Sequence, residues 1–159
     1  MREKIRSGDT TFVSNSEPVE AGFEGHKSNV IRVLVAEDHT VVRDGLVAII
    51  KQEADMDVVA ETGDGQQAAE LWKKHRPDVT LMDLRLPDLS GIDAMIAIRA
   101  EFAEARIIML TTFEGDVEIQ RALKAGARGY LLKNLPPDEL LADVIRHVHK
   151  GKKRPRWSV

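Results

Sequence analysis

Short apolar runs alternate along this chain with stretches in which apolar side chains recur every third or fourth residue, as when strands alternate with amphipathic helices. The run from Val30 to Ala36 is largely β-branched and suits a strand buried on both faces; Val42, Leu46, Ile49 and Ile50 then stripe a helix. "MDVVAETGDG" reads as a second strand closed by a Gly-Asp-Gly turn, with Ala68, Leu71 and Trp72 marking a short helix behind it. "DVTLMD" is a third strand, backed by a helix whose stripe is Ile92, Met95 and Ile96. "RIIMLTT" is a fourth, followed by Ile119, Ala122 and Leu123 at helical spacing, and "GYLLK" is a short fifth. The last helix opens at "PPDELL", with proline at its start and acids in its first turn, and Lys150 and Gly151 close it.

Five strand–helix units in a row predict an α/β fold: a doubly wound five-stranded parallel sheet with helices on both faces. Open sheets of this kind hold their sites at the carboxyl ends of the strands, near the switch in strand order. Glu37 and Asp38 stand at the end of strand one, Asp83 at strand three, Thr111 and Thr112 at strand four, and Lys133 at strand five. Each has an ordinary explanation by itself. Asp38 would cap the helix that follows it, threonine is common in strands, and a terminal lysine is usually solvated. Four such groups on one edge point instead to a site.

Neighbouring strands lie about 4.8 Å apart, and two carboxylates at ~4 Å repel by about 4 kcal/mol at an effective dielectric near 20. Either the acids' pKa values rise or a cation sits among them. One candidate is Lys133, whose stem can reach across the fourth strand. Another is a hard divalent metal, and Mg²⁺ fits a few carboxylates completed by water. Acids, a metal, an ammonium and a hydroxyl donor together suit a phosphoryl group, which needs its charge neutralised and an oxygen nucleophile aimed at it.

Composition narrows the setting. The 159 residues allow one domain with a tail, and a net charge of −3 favours neither nucleic acid nor membrane. Without cysteine there is no disulfide framework, thiolate metal site or thiolate nucleophile. No apolar run approaches the ~20 residues of a membrane span, and the polar N-terminus has no signal-peptide pattern. The expected setting is the cytoplasm, with no membrane contact. Residues 1–29 read as a disordered leader or a cloning remnant, 30–150 as the folded domain, and 151–159 as a basic tail or the start of a linker to an absent output domain.

"VAEDH", "LMDLRLPDLSG", "MLTT" and "GYLLK", in that order, resemble the receiver domain of two-component response regulators, and "LTTFEGD" with "KNLPPDELLADVIRHVHKGKK" is most similar to the NarL/FixJ-type subfamily. The resemblance implies a strand order of 2-1-3-4-5 and a phosphoacceptor, Asp83, served by a sensor histidine kinase. It implies Mg²⁺ held by Asp38, Asp83 and the Arg85 backbone carbonyl, with Glu37 acting through water. Thr111 and Lys133 would bind the phosphoryl group, and Tyr130 would swing inward as Thr111 moves. Arg85 and Phe113 would tune dephosphorylation, which is expected to be slow. A homodimer on phosphorylation is implied, as is DNA contact only through an output domain. Asn134 and Thr112 stand where many receivers carry proline and a smaller residue.

The implied activity is a signalling switch that takes part in its own phosphorylation, with no turnover of a metabolite. A phosphohydrolase using an aspartyl phosphate would want a second acid where Arg85 stands, and a flavin-binding reading fails at "AEDHT". The remaining alternative is a stand-alone or phosphorylation-independent receiver acting by protein contact.

Overall fold

The computed structural model describes residues 29–112, 117–133 and 138–151. Strands β1 (Ile31–Ala36), β2 (Met56–Thr62), β3 (Val79–Asp83), β4 (Ile107–Thr111) and β5 (Gly129–Leu132) alternate with helices α1 (Thr40–Lys51), α2 (Gly65–His75), α3 (Gly91–Glu101), α4 (Val117–Lys124) and α5 (Asp138–His149). The strands form one sheet in the order β2-β1-β3-β4-β5, every pairing parallel. β1 has β2 on one side and β3 on the other, so the switch in strand order lies between β1 and β3.

Side chains alternate across the sheet and fill two cores. Val33, Val35, Leu81, Ile108, Leu110 and Leu131 pack on one face with Leu46, Val47 and Ile50 of α1 and Leu141, Val144, Ile145 and Val148 of α5. Leu34, Ala36, Met82, Ile107 and Met109 meet α2, α3 and α4 on the other, where Trp72, Ile92, Met95, Ile98 and Ile119 are buried. At roughly 1.5–3 kcal/mol per fully buried large apolar side chain, these layers outweigh a few kcal/mol of electrostatic cost at the sheet's edge.

One expectation about α3 is not met. Ile96 is 44% exposed, while Ile92, Met95 and Ile98 are buried along with Ala94. The helix reads GIDAMIAIRAE, apolar on almost every side, so residue spacing does not single out the face that meets the sheet.

The segment after β3 is fixed by contact between backbones. A Cβ on Gly91 would come 1.9 Å from the Asp83 carbonyl oxygen, and one on Gly65 would come 1.7 Å from that of Leu89. No larger residue fits either place without moving backbone. Asp64 accepts the Gln67 amide at 2.7 Å and caps α2; Ser90 accepts the Asp93 amide at 3.1 Å and caps α3. Asp88, between them, adopts a left-handed φ of 68°. Residues 84–90 are therefore gripped by the starts of two helices, which sets the backbone that follows Asp83.

Candidate functional site

β1 runs out at Ala36, and the next residue, Glu37, is still tied to the sheet: its amide donates to the Thr62 carbonyl at 2.9 Å. Its side chain is fully buried. Asp83, the last residue of β3, is 4% exposed. Lys133 follows β5, its amide donating to the Thr111 carbonyl at 2.7 Å. From there its stem crosses the end of β4, and Nζ lies 3.1 Å from both Glu37 Oε2 and Asp83 Oδ2. Asp38 completes the cluster at the rim, its side chain 34% exposed. One ligand atom each from Glu37, Asp38, His39 and Asp83 lies within 4.8 Å of the others.

Desolvation by burial comes first among the influences on Asp83, and repulsion from Glu37 comes second. Together with a hydrogen bond that protonated Asp83 can donate to the Asp38 carboxylate, they outweigh the attraction of Lys133 and the Arg85 amide, and push the carboxyl from 3.8 up to about 6. For Lys133, burial works against the charged form. Hydrogen bonds to Glu37 and Asp83, and their attraction, overcome it and hold the ammonium above the usual lysine value.

Three acids against one ammonium leave two negative charges, which a divalent cation would cancel. A second observation agrees: Glu37 Oε1 is buried and has no hydrogen-bond partner among the described residues. A buried acceptor left in that state is costly. The carboxylate oxygens of the cluster, with water access at Asp38, are what Mg²⁺ takes. The residues fit the metal.

The expected site residues fall as follows. Glu37, Asp38, Asp83 and Lys133 come together. Thr111 is buried at the end of β4, one position beyond Leu110, which pairs with Asp83. The Arg85 side chain is exposed, and its amide donates to Asp83 Oδ1 at 3.3 Å. Tyr130 on β5 is 6% exposed and packs with the core formed by α2, α3 and α4. Phe113 and Asn134 lie outside the described residues.

Asp38 does not cap α1. The cap position belongs to His39, with extended backbone and no side-chain capping bond. Asp38 is held one residue too early, its carboxylate turned to the cluster.

Two contributors were not anticipated. Arg43, one turn into α1, donates to the Glu37 carbonyl at 2.7 Å and lies 3.5 Å from Glu61, securing the end of β1 from behind. The His39 amide donates to Glu37 Oε2 at 3.0 Å, and its ring Nδ1 lies 3.0 Å from that oxygen. The signal for His39 was its place directly after two acids; nothing in the local pattern announces Arg43.

A protein-family model described as "Response regulator receiver domain" matches residues 33–145. The chain belongs to the response regulator receiver family. It is of the NarL (LuxR) type, as its relatives indicate. It is 41% identical over 122 residues to the oxygen regulatory protein NreC of Staphylococcus epidermidis, a match covering 76% of this chain and 56% of that one. It is 41% identical over 121 residues to the uncharacterized transcriptional regulatory protein YxjL of Bacillus subtilis, covering 76% and 55% respectively. The crystal structure of a two-component response regulator of the LuxR family from Aurantimonas sp. SI85-9A1 superposes with a TM-score of 0.74 at 32% identity, covering 79% of this chain and 89% of that one. The chain thus spans about half the length of the curated relatives it matches. As a receiver it serves signalling. Among the described residues, no helix is long and apolar enough to cross a membrane.

Proposed function

We propose that Asp83 is the phosphoacceptor of a two-component switch, receiving its phosphoryl group from a phosphohistidine on a sensor kinase. An Asp83 carboxylate oxygen attacks phosphorus, the phosphorus–nitrogen bond of the donor breaks, and the released imidazole takes up a proton. The observation that carries this reading is the placement of Lys133 Nζ 3.1 Å from both buried acids, where an ammonium can pass from carboxylate to phosphoryl oxygen without leaving the site.

Mg²⁺, held by Asp38, Asp83 and the Arg85 carbonyl with Glu37 reached through water, would neutralise charge on the transferring group. Glu37 and Asp83 are positioned by β1 and β3, and the Arg85 amide orients one Asp83 oxygen. Thr111 would bond a phosphoryl oxygen. Phosphorylation adds about −1.5 to −2 charge and new acceptor oxygens; drawing Thr111 and Lys133 towards them would bias the α4–β5–α5 surface on which Tyr130 packs. Slow self-hydrolysis, tuned by Arg85 and Phe113, would hold that state. In this reading residues 30–150 are the switch, dimerise when phosphorylated, and control transcription through a DNA-binding segment beyond the basic stretch 151–159, in the cytoplasm.

The test is a small-molecule phosphodonor, acetyl phosphate, with mass measurement of the intact chain. With Mg²⁺ present the chain should gain a phosphoryl group, and Asp83→Asn or chelation of the metal should abolish the gain. Undiminished labelling of Asp83→Asn removes Asp83 from the role.

A further inference from the structure

His39 is not needed by the reading above, yet it stands inside the cluster. Its Nδ1 lies 3.0 Å from Glu37 Oε2 and 3.4 Å from Asp38 Oδ1. It is also 3.4 Å from Lys133 Nζ, so the nitrogen already faces one cation. Two features hold it there. The backbone at His39 is extended, with φ −81° and ψ 113°, and the side chain is not spent on capping α1. The His39 amide is bound to the same Glu37 oxygen that the ring approaches, which fixes the start of the side chain relative to the acid. The ring itself is 67% exposed and can turn to meet an ion arriving from solvent. Beneath it Glu37, fully buried, keeps one oxygen without a partner among the described residues.

We propose that His39 Nδ1 is a metal ligand, making this a mixed oxygen–nitrogen site in which borderline d-block ions such as Mn²⁺, Co²⁺ and Zn²⁺ gain a contact that Mg²⁺, held by oxygen ligands alone, does not use. The proposal rests on the phosphoacceptor reading for the metal's purpose and on the cluster's geometry for its identity. Imidazole suits Zn²⁺ and its neighbours, whereas Mg²⁺ keeps to oxygen and dehydrates reluctantly. A neutral imidazole adds a donor without adding charge. Three carboxylates, one ammonium and one divalent ion sum to zero, and that balance survives when a nitrogen replaces a water. The site would then respond to which divalent ion is available, because the nitrogen contributes to some ions and not to others.

The experiment uses the full chain and its His39→Ala variant. Pulsed electron paramagnetic resonance of bound Mn²⁺ should show coupling to an imidazole nitrogen in the parent chain and none in the variant. Calorimetric affinities should fall by about tenfold for Mn²⁺ and Zn²⁺ on His39→Ala and by less than about twofold for Mg²⁺. A nitrogen signal that persists in the variant belongs to His26, His75, His147 or His149 and overturns the proposal. Equal losses for all three ions also overturn it, since His39 would then act only by steadying Glu37. If the parent chain takes up Mg²⁺ and labels on Asp83 but shows no nitrogen coupling, this inference falls alone. If it binds none of the ions, the phosphoacceptor reading falls with it.

Discussion

Two ion networks on this domain have similar contact distances and opposite effects on their acids. Lys133 reaches Glu37 and Asp83 at 3.1 Å in a setting where all three side chains are at most 7% exposed. Arg146 of α5 reaches Glu53 at 2.6 Å and Asp55 at 2.9 Å, with exposures of 34%, 29% and 41%. The Arg146 guanidinium, bonded through two nitrogens to both Asp55 oxygens, holds that carboxyl below its usual value, while Asp83 is pushed up to about 6. Burial makes the difference. Arg146 clasps α5 to the turn between α1 and β2, and water shares the charges. Lys133 is one cation for two buried anions, so the network retains a demand for positive charge. The first arrangement is a fastening; the second is the candidate site.

Removing each cation should separate them. Lys133→Ala leaves Glu37 and Asp83 buried without the ammonium and should lower stability by about 3–5 kcal/mol in metal-free buffer, as read by urea unfolding. Mg²⁺ should restore part of the loss in that variant; no restoration would mean that the acids do not face a metal.

Asp83→Asn should act in the opposite direction. Asp83 holds its proton in the folded chain up to about 6, against 3.8 ordinarily. The folded state therefore binds more protons between those values, and stability falls as pH rises through that window. Without metal, Asp83→Asn should be more stable than the parent by about 1–3 kcal/mol at pH 7.5, and the gap should close near pH 4. A gap unchanged between the two pH values would place the cost elsewhere.

Arg146→Ala should have the smallest effect, about 1 kcal/mol or less at low salt and largely erased in 1 M salt. Because the folded pKa of Asp55 is lowered, its contribution is present above the ordinary aspartate range and is lost as pH falls below it. Thermal unfolding of Asp55→Asn from pH 2 to 6 checks this, since the variant should lose that part of the acid dependence.

The same contrast explains what could be read from the sequence. Parallel strands buried on both faces announce themselves as unbroken apolar runs, and the polar residue at the end of each run marks the edge of the sheet. Glu37, Asp83 and Lys133 were legible for that reason, and their repulsion required the cation that Lys133 supplies in part. Ile96 was misplaced because α3 is apolar around most of its circumference. Capping is the commonest use of an acid at the position of Asp38, but the reading that placed it in the cluster is the one its position matches, since the cap position falls to His39. Arg43 was missed because its acceptor is a backbone carbonyl, which has no signature among side chains. The Arg146 clasp joins residues more than ninety positions apart and had no local trace.

The grip on residues 84–90 has a mechanical consequence. With Gly91 backed against the Asp83 carbonyl and Gly65 against that of Leu89, the near flank of the acid behaves as an anvil with no slack to take up. Strain created at Asp83 must be relieved sideways, through the strands beyond it, and an engineer wishing to redirect the signal would first have to loosen that anvil.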